Sequence, residues 1–97
     1  MSARSTYNGW KNYETWAMAL WIDNEEGTYR YWREAAGQAK ASGGRKSDII
    51  GRLATRLAEE MKEQQPDLGT SVWADLLGAA VSEVYWYEIA KNILNEE

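Results

Sequence analysis

The 97-residue chain contains no cysteine and no histidine. That excludes thiolate and imidazole chemistry: no cysteine protease, no serine–histidine triad and no zinc site of the usual kind can be assembled from it. Without disulfide or metal staples, stability must come from packing. At this length folding buries roughly 60–70% of the unfolded surface, enough for one core and too little chain for two. A cysteine-free chain is compatible with a reducing cytoplasm. Proline occurs once, at Pro66, and phenylalanine not at all. No stretch approaches the roughly 18 consecutive apolar residues of a membrane span, and the opening "MSARSTYNGW" lacks the apolar middle of a secretory signal. No calcium-loop spacing and no tight acidic cluster punctuated by glycine offers an oxygen-only metal site. The sequence therefore predicts a cytoplasmic protein with no cofactor, no metal and no membrane partner.

Cations are scarce in the last third. From Asp67 onward, Asp67, Asp75, Glu83, Glu88, Glu96 and Glu97 stand against Lys91 alone, a balance of −5 out of the chain's −4, with +1 on the remainder. A polyphosphate binder needs basic residues that release counterions, so this distribution disfavours direct nucleic-acid binding. The acids either solvate helix faces or meet the basic surface of a partner.

Helix formers dominate, and no run of alternating β-branched residues appears. The pattern predicts a single all-α domain over residues 1–97, a bundle of about five helices preceded by an N-terminal arm, residues 1–11. The first helix is expected from the Asn12 cap to Asp23 or Asn24, with Tyr13, Trp16, Ala17, Leu20 and Trp21 as its apolar stripe. The second is expected over 28–41, carrying Tyr29, Trp32, Ala36 and Ala39, and ends at "SGGRKS". The third is expected from a Ser47 cap and runs to Pro66, with Ile49, Ile50, Leu53, Ala54, Leu57, Ala58 and Met61 on one side. The fourth, capped by Thr70 or Ser71, presents Val72, Trp73, Leu76, Leu77, Ala80, Val81 and Val84 around most of its circumference, which predicts the central, most buried helix. The small residues Gly78, Ala79 and Ala80 in its middle suit close helix approach. The last helix, 85–95, packs Trp86, Ile89, Ala90, Ile93 and Leu94. Trp16, Leu20, Leu53, Leu57, Leu76, Leu77, Ile89 and Ile93 are expected to be buried together.

All twelve aromatic residues are tryptophan or tyrosine. Each ring has a polar handle, and such residues favour boundaries that are dry on one side and wet on the other. Five of them crowd into "YNGWKNYETWAMALW", residues 7–21. They fit the aromatic corner of a core with the arm as a lid, a hot spot for a protein partner, or a stacking platform for unpaired bases with Lys11, Arg30 and Arg33 on the phosphates. Tyr7 and Trp10, ahead of the Asn12 cap, are the candidate contact residues on the arm. Tyr85 and Tyr87 fall off the stripe of the last helix, beside Glu83 and Glu88, a combination that suits a protein better than a phosphate backbone. With Asp75 these complete the candidate partner-binding set: Tyr7, Trp10, Asp75, Glu83, Tyr85, Tyr87 and Glu88. No catalytic residue is identified.

The stretches "YNGWKNYETWAMALWIDNEEGTY" and "DLLGAAVSEVYWYEIAKNIL" resemble a family of small uncharacterised proteins of bacteriophages, prophages and plasmids. That family shares a Tyr-Asn-Gly-Trp-x-Asn-Tyr-x-Thr-Trp opening and a closing Trp-x-x-Ile-Ala helix. The chain departs from the pattern at Ala17 and Tyr85, where the family has asparagine. The second departure implies that the last helix is capped by Ser82 or begins a turn earlier. The resemblance brings no activity and no site residues. It implies the context of a mobile element, whose small proteins often bind and inhibit host defences, as anti-restriction and anti-CRISPR proteins do. The expectation is a non-catalytic accessory protein that binds and inhibits or modulates a host protein or complex. The alternative is a single-stranded nucleic-acid binder working by aromatic stacking.

Overall fold

The computed structural model describes residues 7–95. Five helices follow one another: α1 Tyr13–Asn24, α2 Glu26–Ala41, α3 Lys46–Glu63, α4 Val72–Ser82 and α5 Trp86–Asn95. The protein is all-α, and no strand occurs among the described residues. Asn12 caps α1 as expected, its side chain accepting from the Thr15 amide, and Ser71 caps α4 by accepting from Ala74. Two caps differ from expectation. The third helix starts two residues earlier, at Lys46 after Arg45, so that Ser47 lies inside it. The last starts at Trp86, and Ser82 ends α4 with its hydroxyl on the Ala79 carbonyl.

The core is built on α3 against α5, with α1 and α2 closing its sides. Leu53 and Leu57 of α3, Ile89 and Ile93 of α5, Trp32 of α2 and Ile22 of α1 are almost wholly buried. The two helices that form this centre have clean two-sided patterns, apolar toward each other and charged outside, and that amphipathicity is what places them there.

The expectation that α4 is the central helix is overturned. None of its residues is buried, and Val72, Trp73 and Leu76 are among the most exposed large apolar side chains of the described residues. The phase of α1 is likewise reversed: Thr15, Ala19 and Ile22 face the core, Trp16 is half-buried, and Leu20, Trp21 and Tyr13 of the expected stripe face outward. Both helices are apolar nearly all round, so composition leaves their orientation open. Of the eight residues expected to be buried together, Leu53, Leu57, Ile89 and Ile93 are; Trp16 and Leu77 are half-buried, while Leu20 and Leu76 are exposed.

α2 and α3 are tied at their outer edge. The Tyr31 hydroxyl donates to Glu60 Oε1 at 2.6 Å, and Arg56 Nε donates to Glu60 Oε2 at 2.8 Å. Arg56 also donates to the Tyr31 oxygen at 3.0 Å and to Gln38 at 3.1 Å. Two glycines with positive φ, Gly43 and Gly44, turn the chain between these helices. Arg52 reaches back to the Gly43 and Ala39 carbonyls that the end of α2 leaves unpaired.

Candidate functional site

The opening motif folds into a clasp. Asn8 and Gly9 both have positive φ, 49° and 88°, the geometry of a type I′ turn, in which Asn-Gly is the preferred pair. Tyr7 and Trp10 exchange both backbone hydrogen bonds across it, at 2.7 and 2.8 Å. Asn12 then does two things with one side chain. Its Oδ1 accepts from the Thr15 amide at 2.9 Å and the Thr15 hydroxyl at 2.6 Å, while its Nδ2 donates to the Glu83 carbonyl at 2.8 Å. The wholly buried Thr15 hydroxyl accepts in turn from the Tyr85 amide at 2.9 Å. The Lys11 amide donates to the Glu88 carboxylate at 3.0 Å. The polar residues of the motif thus fasten the start of the chain to the junction of α4 and α5, and Trp10 packs half-buried against the core.

Of the residues predicted to bind a partner, all but Asp75 lie at the clasp or next to it. Trp10, Tyr85, Tyr87 and Glu88 gather around the clasp: the two tyrosines stack with centroids 6.2 Å apart, and the Lys11 ammonium sits 4.9 Å from the Tyr85 ring. Tyr7 joins Tyr13 and Trp16 in a three-ring cluster, at 5.3 and 5.0 Å. Glu83 follows the last turn of α4, whereas Asp75 is exposed in its first turn. Glu96 and Glu97 lie outside the described residues.

Sequence reasoning missed the most apolar feature of the surface. Between α1 and α4 runs a groove of about 420 Å³ whose open lining is wholly apolar. Ala17 and Trp21 form one wall, Leu77, Ala80 and Val81 the other, and Met18, Met61 and Val84 also line it. Of its lining, Trp21 is 68% and Tyr13 54% exposed, and the first half of α4 adds Trp73 at 66%, Val72 at 61% and Leu76 at 55%. Exposed apolar surface of this kind is what interaction sites on small proteins are made of, and tryptophan and tyrosine dominate the energetics of such sites. Methionine adds a lining that can adapt to an incoming side chain. A signal was present: α2, α3 and α5 each have one apolar side opposed to a charged one, whereas α4 is apolar nearly all round and so has more apolar surface than one core-facing side needs.

A second cleft of about 370 Å³, sharing Trp21 and Met61 with the groove, is lined also by Tyr31, Trp32 and Glu60. Hydrogen bonds from Tyr31 and Arg56 hold the Glu60 carboxylate below its ordinary range, and those that Arg56 makes to Glu60 and Tyr31 raise Arg56. Each group is thereby stabilised in its charged form, the opposite of a general acid or base tuned toward neutrality. No group of acidic residues suited to a metal ion occurs among the described residues. No described helix is long and apolar enough to cross a membrane.

The cations named for a nucleic-acid interface have partners within the chain. Arg30 pairs with Glu26 at 2.7 Å, Arg33 lies 4.3 Å from the Tyr29 centroid and 3.5 Å from Asp23, and Lys11 caps Tyr85. No curated protein and no solved structure matches the chain. Over residues 3–97 it matches, and it belongs to, the family of unknown function DUF7249.

Proposed function

We propose that this protein is a non-catalytic binding module that docks the apolar face formed by α1 and α4 onto a protein partner. One observation carries the proposal: α4 is the most apolar helix of the chain and buries none of its residues. Leaving Trp73, Leu76 and Val72 in water forgoes roughly 1.5–3 kcal/mol for each side chain that could be fully buried. A folded chain that holds such a helix outside its core, with an apolar groove beside it, is suited to completing that burial with another molecule.

The context is that of a phage or mobile-element accessory protein acting in a bacterial host cell, where the partner is a host protein and inhibition of a defence system is the role. Support comes from the motif resemblance and from the lack of any feature pointing to chemistry. Binding of single-stranded nucleic acid is the weaker alternative. The Tyr85–Tyr87 stack beside Lys11 favours it, but Glu83 and Glu88 flank that stack and would repel phosphates.

The test compares tagged wild type with a Trp21→Ala/Trp73→Ala variant in host lysate. A protein retained by the wild type and lost by the variant supports docking through this face. Equal retention by both, or a salt-sensitive mobility shift of single-stranded DNA with no protein retained, would overturn it.

A further inference from the structure

We infer that a second copy of this chain occupies the α1–α4 groove, and that the protein is a two-fold symmetric dimer in which α4 of each copy lies antiparallel to α4 of the other. The inference rests on the docking face proposed above and names its occupant.

The first ground is charge. A surface that selects a foreign partner normally carries charges to match it, whereas the core of a homodimer interface is depleted of them. α4 carries one charge in eleven residues, Asp75, and α1 carries only Glu14 and Asp23, with no cation on either helix. At 100° per residue, Val72, Leu76, Ala80 and Trp73 share one side of α4, and Asp75 lies about 60° beyond Val72, at the margin. The face has no cation with which to select an acidic partner and few anions with which to select a basic one. It also places almost no charge where a two-fold axis would set it against its own copy.

The second ground is shape. An isologous interface must be self-complementary: what projects from one copy must enter what is hollow in the same patch of the other. Bulk and hollow occur together here. The first half of α4 projects Trp73 and Leu76, and one turn beyond Leu76 the same side carries only Ala80, next to the groove wall of Leu77 and Val81. Antiparallel pairing sets Leu76 of one copy against Ala80 of the other and brings Trp73 to the groove mouth, where Trp21 and Tyr13 form the far wall. Gly78, in the same stretch, has nothing within 4 Å of where a Cβ would stand. Close packing within the chain therefore does not account for the small residues in the middle of α4.

The third ground is area. The open surface of Tyr13, Leu20, Trp21, Val72, Trp73 and Leu76 amounts to roughly 400–650 Å² per copy, from their exposures and the usual areas of such side chains. Two copies meeting through it bury roughly 800–1,300 Å², at the lower edge of the roughly 1,200–2,000 Å² of stable interfaces. An area of that size suits a weak, reversible dimer rather than a permanent one. A host partner that binds more tightly would displace the second copy from the same face.

Sedimentation velocity of the full chain from about 1 to about 500 µM tests the inference. The wild type should pass from monomer to dimer across that range. Leu76→Glu should raise the dissociation constant by roughly thirtyfold or more, as loss of an interface hot spot does. Ala80→Arg, at the hollow rather than the projection, should do the same. Neither change should alter helix content or melting temperature at low concentration, since both positions are exposed. A wild type that stays monomeric throughout, or a dimer that both variants leave intact, would overturn the inference. If the wild type is monomeric yet still retains a lysate protein through Trp21 and Trp73, the dimer fails and the docking face stands. If it dimerises as described but retains nothing from lysate, the dimer stands and the host-partner proposal fails.

Discussion

Thr15 joins parts of the chain 70 residues apart. Its buried hydroxyl donates to the Asn12 cap and accepts from the Tyr85 amide. Thr15→Val keeps the shape and removes both bonds, leaving the amide without its acceptor, and should cost about 1–3 kcal/mol in a urea titration. Thr15→Ser, which keeps the oxygen, should recover most of that loss. Asn12→Ala should cost about 1–2 kcal/mol through the lost cap, before the Glu83 link is counted. At Glu60 the consequence is a pH dependence. Its carboxylate is held below the ordinary range by the Tyr31 hydroxyl first and by Arg56 second. A depressed folded-state pKa contributes stability that is fully present above the unfolded value and is lost as pH falls through the folded one. Tyr31→Phe should therefore flatten the acid limb of the stability curve below the ordinary carboxylate range, measured as the urea midpoint against pH. An unchanged acid limb would show that the Tyr31 hydroxyl contributes nothing there.

Among the helices, α3 and α5 carry the fold and α4 adds little to it. Leu57→Ala or Ile93→Ala should cost about 2–5 kcal/mol, because both side chains are fully enclosed. The sequence pattern led to the same expectation for Leu77, but its side chain is only half-buried beside an open groove. Its truncation to alanine should cost about 1 kcal/mol, and Leu76→Ala should stay within about 0.5 kcal/mol. Thermal or urea unfolding of the four variants at low concentration checks the ranking. Five helices, the Asn12 cap, a cap at Thr70 or Ser71 and the buried stripes of α3 and α5 were legible because each depends on local pattern: a capping side chain, or an apolar stripe opposed to a charged one. The orientation of α1 and α4 was not, because a helix that is apolar on every side carries no phase. The clasp was illegible for another reason: Asn12 and Thr15 find Glu83 and Tyr85 through tertiary folding, and spacing along the chain says nothing of that meeting.

For the molecule as a whole, α2, α3, α5 and the inner side of α1 make a core, and α4 is attached through the clasp and the edge of a groove. The binding proposal and the dimer both depend on that separation, since a buried α4 would have no face to offer. Amide hydrogen exchange of the dilute protein measures it directly. Amides of α3 and α5 should exchange only through global unfolding, whereas those of Ala74 to Ser82 should exchange far faster through local opening of α4. Protection of α4 equal to that of α3 and α5, at a concentration where the chain is monomeric, would contradict the account.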